Sequence, residues 1–166
     1  MTDFARLMSD YFVKYLAGQK GSGSNTMKTY RDTFVQLLEF MDEKKHIRAD
    51  CIEVDSFSYD IINEFLEYLE KEKRVSISTR NNRLAAIRSF FKYTGYHEPK
   101  YLNISTSIRE ISKKKTEGRQ MNYLSVNAME HFLNSFDKTD HKELRCFCIV
   151  LLLYESGARV TELCNV

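Results

Sequence analysis

Amide and cationic side chains recur at helical spacing between residues 81 and 92. One face of the predicted helix carries, at positions i, i+4, i+7 and i+11, the residues Asn81, Ala85, Arg88 and Lys92. The small alanine would let a nucleic-acid backbone approach closely, and Arg88 and Lys92 could reach its phosphates. Thr79, Arg80 and Arg83 add hydrogen-bond donors near the positively polarised start of the same helix. The pattern predicts a nucleic-acid surface, with a solvated helix face as the alternative.

Four amphipathic helices are predicted in the first 95 residues, and the fourth carries this face. Their apolar stripes follow the i, i+3, i+4, i+7 pattern. They comprise Phe4, Leu7, Met8, Tyr11, Phe12, Tyr15 and Leu16; Tyr30, Phe34, Leu37, Leu38 and Met41; Ile61, Ile62, Phe65, Leu66 and Leu69; and Leu84, Ile87 and Phe91. Ser24 or Asn25 is expected to cap the second helix and Ser58 the third. The fourth should start after Ser76 or Ser78 and end near Gly95. Antiparallel packing of the four gives an all-α domain over residues 1–95.

The remaining chain divides into a basic segment and a second helical region. Residues 96–120 contain the only proline and the run Lys113–Lys115, a composition that predicts an exposed interdomain linker. In residues 121–166, Ser125 is a candidate helix cap. A very apolar helix is predicted next, and its run Cys146–Tyr154 is expected to be buried on all sides. Gly157 should end that helix, and a new element should start at Arg159.

Charge is distributed unevenly along the chain. The total of 25 Lys and Arg against 23 Asp and Glu gives a net charge of only +2. Residues 28–70, however, carry 5 basic and 11 acidic residues, whereas residues 71–120 carry 13 basic and 4 acidic residues. A switch of this size predicts a surface for a polyanion built mainly from the second stretch, or simply a solvated basic face.

Composition points to a cytoplasmic protein. No apolar run approaches the roughly 20 residues of a membrane span, and the N-terminus does not resemble a secretory signal. The cysteines Cys51, Cys146, Cys148 and Cys164 show neither zinc-ligand spacing nor a C-x-x-C pair, so buried, reduced thiols are expected.

The stretch Tyr154–Leu163 reads Tyr-Glu-Ser-Gly-Ala-Arg-Val-Thr-Glu-Leu. It resembles the first catalytic box of the tyrosine recombinases, or phage integrase family, whose usual form is Y-x-T-G-x-R-x-S-E-L. Ser156 replaces the threonine of that pattern and Thr161 replaces the serine. Upstream, Ser24-Asn25-Thr26 with Tyr30, and the segments 78–84 and 87–91, resemble the family's SAM-like core-binding domain.

The resemblance implies a DNA-binding protein with parts of a recombinase site. It implies DNA contacts from Ser24, Asn25, Thr26, Lys28, Thr79, Arg80, Asn81, Arg83, Arg88 and Lys92. It makes Arg159 a clamp on the scissile phosphate, because a guanidinium can bind two non-bridging oxygens at once. Glu162 would orient that guanidinium, or would only cap and pair within the helix start. Double-stranded DNA and other recombinase protomers are the expected partners, with no membrane, metal or nucleotide cofactor.

Other parts of the family's catalytic site are expected downstream of this box. They are a hairpin lysine, an H-x-x-R pair, a further His or Trp and the nucleophilic tyrosine. None of the four histidines is followed by arginine at the third place: His46, His97, His131 and His141. The chain is therefore expected to be the N-terminal, DNA-binding portion of a tyrosine recombinase, followed by the start of its catalytic domain and inactive by itself. The alternatives are a stand-alone helical DNA-binding regulator, including a dominant-negative truncated integrase, and a protein-interaction domain without DNA activity.

Overall fold

The computed structural model describes residues 2–116, 118 and 123–165 of the chain. It divides into two units, residues 1–117 and 118–166. The residues left undescribed between 117 and 122 include the end of the predicted linker and the start of the predicted catalytic fragment. The described residues contain helices and no strand, which confirms the all-α fold class. None of these helices is long and apolar enough to cross a membrane.

The described residues of the first unit form five α-helices. Helix α1 continues directly into a stretch of π-helical geometry, Tyr11–Gln19, and short 3-10 turns connect α2 to α3 and α4 to α5. The helices are α1 (Asp3–Asp10), α2 (Ser24–Lys45), α3 (Tyr59–Lys71), α4 (Ile77–His97) and α5 (Leu102–Glu110). The predicted cap of α3 is confirmed, because the hydroxyl of Ser58 accepts the backbone N–H of Ile61. Of the two predicted starts of α4, Ser76 is the one observed, and its hydroxyl accepts the backbone N–H of Thr79. Helix α2, by contrast, begins at Ser24 and has Gly23 at its cap position, without a capping side chain.

Phe90 joins three helices in the core of the first unit. Its ring lies 5.3 to 5.5 Å from the rings of Phe4, Tyr11 and Phe34, in edge-to-face geometry. This arrangement is favoured by the aromatic quadrupole and ties α4 to α1 and α2. Phe90 is fully buried, together with the predicted stripe residues Leu84, Ile87 and Phe91. The core face of α4 is therefore wider than its sequence stripe.

Helix α5 corrects the predicted linker over residues 96–120. Tyr101, Ile108 and Ile111 are buried in the core of the first unit, although the surrounding sequence is polar and basic. Helix α4 continues through Gly95 to His97, so this glycine does not end the helix as predicted. Its missing side chain instead provides space for α5. A Cβ atom at residue 95 would lie 2.9 Å from the Cβ atom of Ser105. The segment up to about residue 111 is therefore part of the helical domain.

The second unit contains α6 (Val126–Asn134), α7 (His141–Ser156) and α8 (Val160–Leu163). The predicted cap at Ser125 is confirmed, and Gly157 ends α7 in a left-handed conformation with φ 63°. No described residue of this unit is buried, so the expectation of a fully buried helix over Cys146–Tyr154 is wrong for the unit by itself. The four cysteines are likewise exposed rather than buried.

Candidate nucleic-acid interface

The start of α2 and the middle of α4 border one shallow, open cavity. Its volume is about 300 Å³, and it is lined by Asn25, Thr26, Thr29, Tyr30, Asn82 and Ala85. Two residues predicted as DNA contacts, Asn25 and Thr26, are thus brought beside the small alanine of the predicted α4 face. Ser24 and Lys28 lie exposed on the same first turns of α2. Because Gly23 provides no capping oxygen, no side chain caps the first-turn N–H groups of α2.

Helix α4 exposes a narrower strip than its sequence pattern predicts. The residues that are at least partly open on this strip are Ser78, Asn82, Ala85, Ser89 and Lys92. Of the predicted face, only Ala85 and Lys92 belong to it. Asn82 was not among the predicted contacts, although its spacing of three from Ala85 and of four from Ser78 places it on the strip. Ser89 is partly engaged, since its hydroxyl accepts a hydrogen bond from Tyr11 at 2.8 Å.

Arg80 faces the interior of the first unit. Only 6% of this residue is exposed, and its Nε lies 3.0 Å from the Oε1 atom of Glu70 on α3. Its NH1 group donates to the carbonyl of Ser112 at 3.3 Å. A guanidinium held on two sides within the protein is not free to reach a phosphate, so the prediction of Arg80 as a DNA contact is corrected to a structural role.

Asn81 and Arg88 hold the chain that follows α5. The amide of Asn81 donates to the carbonyl of Lys114 at 2.8 Å and accepts the backbone N–H of the same residue at 3.1 Å. Arg88 donates to the carbonyl of Ile111. Burial, and to a smaller extent the positive charges of Arg109 and Arg80, lower the pKa of Arg88. We call the four residues Glu70, Arg80, Asn81 and Arg88 the α4 clasp.

Arg83 and Thr79 are also engaged within the first unit. Arg83 donates to the carbonyl of Thr29 at 2.9 Å and to the hydroxyl of Thr33 at 3.2 Å, which fastens α4 to α2. Thr79 lies at the helix start, where its backbone N–H and hydroxyl both contact the Oγ atom of Ser76. The NH1 group of Arg83 is therefore engaged within the protein, whereas its Nε has no hydrogen-bond partner among the described residues.

Ion pairing separates the cations of the first unit into two groups. One group is paired with carboxylates, such as Lys71 with Glu67 at 2.7 Å. Among residues 2–116, the Lys and Arg side chains with no described carboxylate within 4.0 Å are Lys20, Lys28, Arg31, Lys73, Arg74, Arg83, Arg88, Lys92, Arg109, Lys113 and Lys115. Lys28 and Lys92 are the exposed members of this group that the sequence predicted as DNA contacts.

Arg159 and Glu162 form a local pair at the start of α8. The NH1 group of Arg159 lies 3.0 Å from Oε1 of Glu162, and its backbone N–H donates to Oε2 at 2.8 Å. Glu162 therefore accepts the backbone N–H at the helix start and pairs with the guanidinium of the same residue. The Arg159 side chain remains 83% exposed, and its carboxylate partner leaves other donors of the fork available.

Comparison with known proteins gives consistent matches. A family model described as the phage integrase N-terminal SAM-like domain matches residues 10–99. The candidate integrase/recombinases y4rC and y4rD of Sinorhizobium fredii are 27% and 28% identical, covering 96% and 95% of this chain but 48% and 56% of their own lengths. The tyrosine recombinase XerC of Staphylococcus aureus strain USA300 is 27% identical over 96% of this chain and 50% of its own. The chain thus spans about half the length of these relatives, and no solved structure matches it.

Proposed function

Because the chain belongs to the phage integrase family of tyrosine recombinases through its N-terminal SAM-like domain, we propose that it binds duplex DNA as the N-terminal portion of a recombination enzyme. The observation that carries this proposal is the open surface formed by the first turns of α2 and the exposed strip of α4. That surface combines a small residue and amide side chains at one cavity with two exposed, unpaired lysines, Lys28 on α2 and Lys92 on α4. The names of the relatives, integrase/recombinase and tyrosine recombinase, support recombination as the process served.

The proposed contacts follow from which polar groups remain available. Lys28 on α2 and Lys92 on α4 would neutralise DNA phosphates, and the release of the phosphates' counterions would supply affinity. Asn25 and Asn82 present amides that can both donate and accept, as base edges require, and the N–H groups of these amides can also donate to phosphate oxygens. The small side chain of Ala85 leaves the cavity open, so that a DNA strand can lie against α4.

Salt-dependent binding to a mixed-sequence duplex of about 30 base pairs tests this proposal. Each phosphate contact adds about one unit to the slope of log K against log salt, so Lys28→Ala and Lys92→Ala should each lower that slope by about one. Lys71→Ala is the matched control, because it removes the same charge from a lysine that is paired with Glu67. Binding that does not depend on salt, or an equal loss from the control, would overturn the proposal.

Arg159 is proposed to bind the scissile phosphate in the longer recombinase. The pentavalent transition state concentrates negative charge on the non-bridging oxygens, and a planar guanidinium binds two of them. Glu162 would hold the guanidinium in position, as it does at the start of α8. Self-association with further protomers on DNA belongs to the same proposal.

Residues 1–166 alone are expected to form no covalent adduct with a nicked suicide substrate. Arg159 alone supplies neither a nucleophile nor a proton donor, and the residues of a catalytic site act as a unit. In the longer protein, Arg159→Ala should abolish cleavage while most DNA binding persists. An adduct formed by residues 1–166, or normal recombination without Arg159, would contradict this assignment.

A further inference from the structure

The α4 clasp fixes the course of the chain after α5. Arg88 binds the carbonyl of Ile111, and Asn81 binds the peptide groups of Lys114. These two anchors are seven residues apart on α4, or about 10 Å along its axis. Three residues of extended chain cover about the same distance. The segment 111–114 therefore runs extended and antiparallel to α4 along one flank.

The extended course separates the three consecutive lysines into two groups. Lys114 turns toward α3, where its Nζ lies 2.7 Å from the Oε2 atom of Glu70. Because successive side chains of an extended chain point to opposite sides, Lys113 and Lys115 point away from α3. The flank of α4 on that side continues into its exposed strip. Both lysines are exposed and have no described carboxylate within 4.0 Å.

We infer that Lys113 and Lys115 form a second row of phosphate contacts beside α4, and that Asn81 is the positioning residue that holds this row in place. The inference rests on the proposed DNA binding and adds a site to it. The extended backbone places Lys113 and Lys115 on the same side, near the part of the exposed strip that contains Asn82. Two of the cationic residues predicted from sequence as DNA contacts, Arg80 and Arg88, instead bind the backbone of this segment.

Asn81 is suited to this role because a single amide satisfies both polar groups of one peptide. The backbone N–H and the carbonyl of Lys114 belong to the same residue, and both are bonded to the Asn81 side chain. Loss of this amide removes both hydrogen bonds to Lys114 and loosens that end of the segment without changing any charge. The lysines would then have to be ordered when DNA binds, which costs conformational entropy.

Single substitutions in the lysine run provide the direct test. With the full chain and the same mixed-sequence duplex, Lys113→Ala and Lys115→Ala should each lower the salt slope by about one. Lys114→Ala is the matched control and should leave the slope nearly unchanged, because the Lys114 ammonium group is already paired with Glu70. A loss from Lys114→Ala equal to that from its neighbours would overturn the inference.

Asn81→Ala tests the positioning role. We expect faster hydrogen exchange at the Lys114 amide, several-fold weaker DNA binding and a lower salt slope, all with unchanged net charge. Asn103→Ala, on the exposed face of α5, is the control for removing an asparagine. If the Lys114 amide exchanges faster in Asn81→Ala but the salt slope of DNA binding is unchanged, Asn81 has only a structural role and its proposed positioning role is refuted.

The outcomes distinguish this inference from the proposed function. If Lys92→Ala lowers the slope and the changes at Lys113 and Lys115 do not, DNA binding stands and the second row of contacts is refuted. If the unchanged chain shows no salt-dependent binding to duplex DNA, both fail together.

Discussion

Gly95 marks a point of close approach between α4 and α5, and an alanine there should force the two helices apart. A Cβ atom at residue 95 would lie 2.9 Å from both Cβ and Oγ of Ser105, and 3.7 Å from the Cα atom of Leu102. Ser105 is only 3% exposed, and its Cβ is attached directly to the α5 backbone. The overlap can be relieved only by displacing a helix, since protein interiors are close-packed.

Two opposing terms set the size of the effect. Overpacking a core position costs about 1–3 kcal/mol, whereas alanine in a helix interior is more favourable than glycine by about 1 kcal/mol. The net expectation for Gly95→Ala is a loss of about 1 kcal/mol, which lowers the melting temperature by about 4 °C for a unit of this size. Gly18→Ala is the matched control, because its Cβ would meet only the Val13 carbonyl oxygen at an ordinary 3.6 Å.

Urea unfolding of the full chain, followed by the near-ultraviolet circular dichroism of its tyrosines, measures both variants. Gly95→Ala should have a lower midpoint than the unchanged chain, and Gly18→Ala an equal or higher one. Adding Ser105→Gly to Gly95→Ala removes the overlapping carbon and should recover part of the loss. The packing argument is refuted if Gly95→Ala is as stable as Gly18→Ala, or if the double variant shows only the sum of the two single effects.

Three further predictions concern side chains that fasten the first unit. Glu70→Ala should lower the free energy of unfolding by about 3 kcal/mol, because it leaves the buried Arg80 guanidinium without its carboxylate; Glu70→Gln should cost less in the same urea titration. The hydrogen bond from Lys100 is the largest cause that lowers the pKa of Asp3. The ionised Asp3 carboxylate therefore stabilises the fold above about pH 4, and this stabilisation is lost as the pH falls through the lowered pKa of the folded state. Melting curves between pH 2 and 6 should therefore show a weaker acid dependence for Asp3→Asn, and an unchanged dependence would refute the assignment. Ser58→Ala should cost about 1 kcal/mol in urea unfolding, because the start of α3 loses its cap, and no loss would contradict that role.

Local features of both units were predictable from sequence. The caps at Ser58, Ser76 and Ser125 depend on hydrogen bonds to residues three positions away, and a serine before an apolar stripe predicts them directly. The end of α7 at Gly157 is equally local. Helical spacing also placed Ala85 and Lys92 correctly on the open strip of α4.

The roles of the arginines on α4 depend on partners that are distant in the sequence. Arg80 pairs with Glu70 on another helix and with the carbonyl of Ser112, thirty-two residues later. Spacing along one helix cannot reveal such partners, so a buried guanidinium and an exposed one look alike in sequence. Composition misled in the same way at Tyr101 and Ile108, which are buried although the segment around them is polar.

The start of α2 lacks two features that would stabilise the helix. Its cap position is a glycine, and its first turn contains no acidic residue. An aspartate there would stabilise the helix by about 0.3–1 kcal/mol through its interaction with the helix dipole. The same aspartate would place a negative charge beside Lys28 and repel a polyanion from the cavity. Selection for heat resistance alone would favour Asp at position 25, whereas selection for an anionic ligand would favour Asn25. Under the proposed DNA binding, thermal stability and affinity therefore compete at this helix start, and an acidic residue that improves the first reduces the second.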